Sequence, residues 1–289
     1  MIILQLLINA FSLGSFYALV ALGFALIFGV THAFNLAHGE FILLGGYLAY
    51  ILAGQMHFPF LWTLPISMLA MIFVAVLLQK LLSYVNEPYE LNTLVVTFGL
   101  ALVLQNGMLM LFSADYRFIR STAPIIELPK TQLVVTQTQI ILILTSILAT
   151  TALYILLRRT FLGKALRATI QDREAAKLAG INVRRMSLIG FSIGGTLIGL
   201  AGPLYARTTY LYPSGGIEAT LIAIIITIFA GVGRIRGILL GGWALGIAES
   251  LTVYSLGTGW RELVSSLFLI SLLLLRPEGI LPRRMGTNG

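Results

Sequence analysis

The chain has 289 residues, 58% of them hydrophobic and 10% charged, and its mean hydropathy is +0.94. A soluble domain carries about 25% charged residues because its surface must face water, so a soluble globular fold is excluded and lipid must cover most of this surface. The excess of 19 Lys+Arg over 11 Asp+Glu is what loops facing anionic headgroups require, and it argues for a membrane-surface partner rather than nucleic acid.

At about 20 residues per span, the length allows eight to ten helices. The first apolar stretch, 2–30, is punctuated by Asn9, Ser12, Gly14 and Ser15. Residues 1–79 contain no Lys or Arg, so the basic start of a cleavable signal is missing and this stretch is expected to be a retained span. The polar turn Thr31 to Glu40 follows. Ionisable groups at membrane depth are costly and face a cavity or each other. Two readings stay open for Asn35, His38, Gly39 and Glu40. In one, the turn is a surface loop in which Asn35 caps the next helix. In the other it is a broken helix inside the bundle, and these residues line a path. Glu40, at the head of an apolar helix, is expected to be ionised and stabilised by free N–H groups and the positive helix end.

Further spans are expected over 37–54, 60–82, 91–112 and 138–157. A polar, basic segment covers 158–185, followed by spans at 186–206, 217–232, 237–254 and 260–275 and a basic tail, 276–289. The pair 217–232 and 237–254 reads either as two spans or as a re-entrant hairpin. The fold class is therefore an all-α polytopic membrane protein, a bundle of about eight or nine transmembrane helices forming one domain over 1–289. Segment 158–185 holds eight basic residues against Asp172 and Glu174, and the tail adds Arg276, Arg283 and Arg284. The positive-inside rule puts both in the cytoplasm. Counting back over nine spans places the N-terminus outside.

Between Gly163 and Gly180 the sequence is rich in helix formers and free of proline, which predicts about 24 Å of continuous helix ending at Gly180 as the C′ residue. Alanines 165, 168, 175, 176 and 179 leave its surface nearly bare, a shape suited to docking in a partner's groove. A solvated basic loop is the plainer alternative. Small residues recur at four-residue spacing in Gly190/Gly194, Gly195/Gly199, Gly237/Gly241 and Gly242/Gly246. Lipid gives helices no hydrophobic reason to associate, so such faces predict close packing. Phe41–Tyr47 faintly echoes Gly237–Trp243, and paired interruptions of this kind are a pointer to a transport site. Glu218 is expected at an external helix start and Glu249 deeper, bonded to bundle groups. Tyr205, Tyr210, Tyr212 and Trp260 read as an interfacial belt.

The segment G-K-A-L-R-A-T-I-Q-D-R-E-A-A-K-L-A-G-I-N, residues 163–182, closely resembles the coupling segment of bacterial ABC-importer permeases of the branched-chain amino acid, LivH-type family. Four other stretches match that family in order. They are F-N-L-A-H-G-E-F-I-L-L-G-G-Y from Phe34, F-G-L-A-L-V-L-Q-N from Phe98, A-G-V-G-R-I-R-G-I-L-L-G-G from Ala230 and L-L-R-P-E-G-I-L from Leu274. Two departures stand out. Glu87 and Glu90 lie where the family carries a basic stretch, and Arg234 adds a charge to a glycine turn.

The resemblance implies an inner-membrane permease that forms its path with a second homologous permease. Two cytoplasmic ATP-binding subunits and a periplasmic substrate-binding protein would complete the importer. An amino acid, neutral or branched-chain, would be the substrate. Gly163, Lys164, Arg167, Ala168, Asp172, Ala175, Ala176, Leu178, Gly180 and Ile181 would then couple to the ATPases. The residues themselves support one exclusion. The only Gly-Lys pair is followed by Ala165 and lacks the upstream glycine of a phosphate loop, so the chain is not expected to bind ATP or Mg. Those belong to partners. Cysteine is absent, and His32, His38 and His57 have no recognisable metal spacing, so neither an enzyme nor a metal site is expected. The rival reading is a self-contained secondary transporter or channel for a small polar solute, driven by ions through Glu40, His38 or Glu249.

Overall fold

The computed structural model describes residues 2–120, 126–128, 133–231 and 233–275; the expected basic tail lies outside them. The architecture is an all-α bundle. In chain order it comprises α1 (Ile2–Thr31), α2 (His38–Ala49), α3 (Phe60–Leu82), α4 (Tyr89–Phe112), α5 (Gln137–Arg159), α6 (Phe161–Gln171), α7 (Arg173–Leu178), α8 (Val183–Thr208), α9 (Gly216–Ala230), α10 (Ile235–Leu256) and α11 (Arg261–Leu275).

Seven helices among the described residues are long and apolar enough to cross a membrane. The interior α2, prolonged by a π-helical turn over Tyr50–Gln55, and the 15-residue α11 are apolar helices not counted among these seven. Of the expected span 217–232, α9 covers the part to Ala230, and a 3-10 turn over Pro213–Gly215 leads into it, the two together counting among the seven. One small element has no counterpart in the sequence reading: an antiparallel pair of strands, β1 (Ile126–Leu128) and β2 (Leu133–Val135), in the connection between α4 and α5.

Burial sorts the helices. In α1, 89% of the most apolar window is buried, against 17% in α4. Both are equally apolar in composition, so only packing distinguishes them. α1 is the central post, held by α8, α9 and α10. Its contact with α10 is backbone on backbone. A Cβ on Gly242 would come within 2.5 Å of the Gly14 carbonyl oxygen, and one on Gly246 within 2.5 Å of the Ala10 carbonyl oxygen. On α8, Gly194 lies against Ile27, whereas Gly195 and Gly199 lie against the α3 backbone at Met71 and Met68. Gly190 meets Val30, and Gly241 meets Phe229 of α9. Gly237 is buried in the first turn of α10.

Tyr205 does not belong to an interfacial belt. It is 5% exposed, with its ring 5.4 Å from that of Phe16, because α8 delivers it into the core rather than to lipid. Tyr210 and Trp260 are exposed, and Tyr212 is half-buried.

Candidate functional site

Two places gather the residues that the sequence singles out. The first is the segment between α5 and α8. Thr160 leaves α5 in extended conformation and its hydroxyl accepts from the Gly163 N–H at 2.9 Å, capping α6. Gly163 is pressed against the Leu156–Leu157 backbone so closely that a Cβ would overlap the Leu156 carbonyl. Arg167 Nε donates to the Leu157 carbonyl at 2.9 Å. Buried Ala165, Leu166 and Thr169 face inward, and Ile170 touches Gly29 of α1. The Ile170 carbonyl lies 3.0 Å from His32 Nε2. α6 is thus bolted to the ends of both α5 and α1.

The expected continuous helix from 163 to 180 is in fact two. Asp172 is extended (φ −159, ψ 112), and its side chain accepts from the Ala175 N–H at 2.9 Å, so it ends α6 and caps α7. An aspartate at this position satisfies orphan helix donors better than it continues a helix. The alanine surface is not uniformly bare either. Ala165 and Ala176 are buried, Ala168 is half-buried, and Ala175 and Ala179 are exposed. Lys164 and Arg167 are exposed along α6. Leu178 is 89% exposed and Phe161 86%, two apolar knobs flanking the segment.

Gly180 has φ +81. Its N–H donates to the Lys177 carbonyl and that of Ile181 to the Ala176 carbonyl, both at 3.0 Å. This is the paired bonding of a Schellman cap. Beside the segment, a cleft of about 1140 Å³ opens between the α3–α4 turn and α7. It is lined by Glu87, Tyr89 and Glu90 on one wall and by Asp172, Arg173 and Lys177 on the other.

The second place is the turn 32–37. Asn35, His38 and Glu40 are 2% exposed or less, so their side chains are held inside the bundle, while His32 at the start of the turn lines the cleft beside α7. His32 takes a positive φ of 57°, and the chain folds back so that His38 Nε2 reaches the Val20 carbonyl at 3.1 Å. Asn35 does not cap α2. Its Oδ1 accepts from the Ala37 N–H at 3.1 Å within the turn, and Ala37 is the cap residue.

The start of α2 meets the start of α9. The Gly39 N–H donates to Thr220 Oγ1 at 2.8 Å, and a Cβ on Gly39 would overlap the Gly216 carbonyl. The Glu40 carboxylate packs on the Gly216 Cα, and among the described residues neither oxygen has a hydrogen-bond partner. The expected N–H stabilisation is therefore not made by direct bonds, because the side chain turns toward α9 rather than back over its own first turn.

A third group emerges only in three dimensions. Glu249 is 1% exposed and accepts from Tyr17 Oη at 2.6 Å, from Arg261 Nε at 2.8 Å and from Ser265 Oγ. Arg261 also donates to Tyr17. Arg261 opens onto a cavity of about 830 Å³ that Gln5, Asn9, Glu218 and Ser250 also line. Sequence reasoning placed Glu249 but missed Arg261. The available signal was one guanidinium twelve residues on, across a helical hairpin and beside an otherwise apolar span, since intramembrane charges pair.

A model of the family described as branched-chain amino acid transport system / permease component matches residues 6–275. The high-affinity branched-chain amino acid transport system permease protein BraD of Pseudomonas aeruginosa is 29% identical over 97% of this chain and 96% of its own. LivH of Escherichia coli, a permease protein of the same description, is also 29% identical, with the same coverage. Among solved structures, PsaBC from Streptococcus pneumoniae in complex with Fab matches with a TM-score of 0.51 and 13% identity. That match covers 93% of this chain and 91% of the other, a likeness of fold.

Proposed function

The chain belongs to the permease-component family of branched-chain amino acid transport systems, and from that premise we propose that it carries an amino acid, neutral or branched-chain, along a path formed with a second homologous permease. It is a multi-pass inner-membrane permease, not the catalytic subunit of its transporter. In the proposed complex two cytoplasmic ATPases bind ATP and Mg, and a periplasmic protein delivers substrate. The whole chain acts as one transmembrane domain, with its C-terminus in the cytoplasm and its N-terminus outside.

The observation that carries the coupling is the way α6 is fixed. Its inner face is locked to α5 through Gly163 and Arg167 and to α1 through Ile170. Its outer face and that of α7 stay exposed. A push on Ala175, Leu178 or Lys177 therefore moves the ends of two spanning helices together, as a rigid-body rocking step requires. A zwitterionic substrate needs an apolar wall for its side chain and a few dipoles for its ends. The exposed face of α4, where Gln105 and Asn106 interrupt a leucine-rich surface, offers both.

Cysteine introduced at exposed Ala175 tests the reading in the cysteine-free background the chain already has. The expected result is crosslinking to a co-purifying ATPase and no labelling from the outside. Transport by the purified chain alone, without ATPase subunits, would overturn it in favour of a self-contained carrier.

A further inference from the structure

The ends of α5 and α10 bring arginines together around one tyrosine. Arg158 lies in the last turn of α5 and Arg236 in the first turn of α10. Their guanidinium carbons are 5.4 and 4.0 Å from the centre of the Tyr154 ring. Arg234 caps α10 without a side-chain hydrogen bond, and its Nη1 is buried with no partner among the described residues. The ion pairs among those residues involve Arg117 and Arg261, so no carboxylate there neutralises the cluster. Guanidiniums gathered on one aromatic repel each other unless an anion joins them.

The surface running away from the cluster is apolar and exposed. On α5, Leu144, Leu148 and Ile155 are more than half exposed and share one helical stripe with Arg158. On α10, Leu240 is 55% exposed, one turn from Arg236. A soluble subunit would be met by polar side chains at such a place. Leucine and isoleucine in this position continue a site into acyl chains.

We propose that Arg158, Arg236 and Tyr154 hold the phosphate of one anionic phospholipid, its chains lying along the exposed stripes of α5 and α10. The leaflet, though not the site, rests on the topology proposed above. Phosphate is recognised by bidentate guanidinium donors, and basic pockets between helices at a membrane surface bind such headgroups.

The test is native mass spectrometry of the purified, delipidated full chain, titrated separately with phosphatidylglycerol, phosphatidylcholine and inorganic phosphate. One phosphatidylglycerol should be retained in preference to phosphatidylcholine. R158Q/R236Q should weaken that lipid by about twenty-five-fold, roughly fivefold for each guanidinium removed, and leave phosphatidylcholine unchanged. R158K/R236K keeps both charges and should retain most of the preference, a check independent of how the glutamine variant folds. Arg120→Gln, an exposed arginine remote in the fold, should change nothing. Equal affinity for the two lipids, an unaltered preference in R158Q/R236Q, or displacement of the lipid by equimolar inorganic phosphate would each overturn the proposal. So would protection of the cluster by a bound ATPase subunit in place of lipid.

Discussion

Glu249 shows how one residue can commit a membrane helix to its neighbours. With three donors on one buried carboxylate, α10 is tied at once to α1 through Tyr17 and to α11 through Arg261 and Ser265. The two ends of the ion pair differ in access to water: the Arg261 side chain is 35% exposed and that of Glu249 is 1% exposed. Removing one partner of a buried pair leaves an uncompensated charge, at about 3–5 kcal/mol. That cost should fall mainly on Arg261→Leu, which strands the carboxylate. Glu249→Leu leaves a guanidinium that can hydrate through the cavity and should cost clearly less. Thermal unfolding of the purified chain should rank Arg261→Leu as the least stable variant, with E249L/R261L partly recovered. Equal losses in the two single variants would show that burial does not set the order. Arg261 was hard to read in the sequence because its significance lies in a partner twelve positions earlier, and spacing alone does not reveal which way two helices of a hairpin face.

At the scale of elements, what the sequence made legible was periodic and local, and what it hid was decided by third parties. Apolar run length marked every spanning helix, and the glycine before Ile181 marked the end of α7. The break at Asp172 was hidden because flanking alanines, leucine and lysine favour helix while one aspartate can cap instead. The inward fold of turn 32–37 was hidden because partners for its polar groups lie far away in sequence, at Thr97, Ile170 and Thr220.

Gly180 separates conformational cost from steric cost. A Cβ there would meet nothing within 4 Å, but φ is +81, so Gly180→Val should cost about 1–2 kcal/mol locally without disturbing insertion. In the reconstituted transporter it should raise ATP hydrolysis per substrate moved, and Gly180→Asn should do so less, since asparagine tolerates this region. Wild-type stoichiometry in Gly180→Val would mean that the cap carries no coupling.

Where α2 meets α9 the constraint is steric instead. Gly216→Ala would drive its Cβ into the Glu40 carboxylate. The single variant should lose folded yield, and E40A/G216A should recover part of it. No recovery would show that the Glu40 carboxylate is not what the added Cβ disturbs.

For the whole molecule, the distribution of small residues separates surfaces that are finished from surfaces that await a partner. The glycines of α8 and α10 are packed by atoms of the same chain, backbone at Gly195, Gly199, Gly242 and Gly246 and side chains at Gly190, Gly194 and Gly241. Those of α4 are not. At Gly99 and Gly107 an added Cβ would meet nothing within 4 Å, although glycine inside a helix costs about 1 kcal/mol relative to alanine. The buried face of α4 is Thr93, Thr97, Ala101 and Met108, and the opposite face carries Val95, Phe98, Leu102 and Asn106 in the open. Nothing among the described residues explains glycine on such a helix, whereas close approach by another helix does, through the same small-residue packing seen at α1 and α10. A second permease seated on α4 is the occupant that the proposed function supplies. Gly107→Leu then has opposite consequences in two settings. In the isolated chain it should be neutral or stabilising, because leucine has the better helix propensity and room to stand. In the assembled transporter it should wedge the permeases apart, lowering recovery of the second permease and uptake together. Co-purification from the membrane, set beside unfolding of the isolated chain, reads both effects. Full assembly with Gly107→Leu would move the permease–permease contact away from α4.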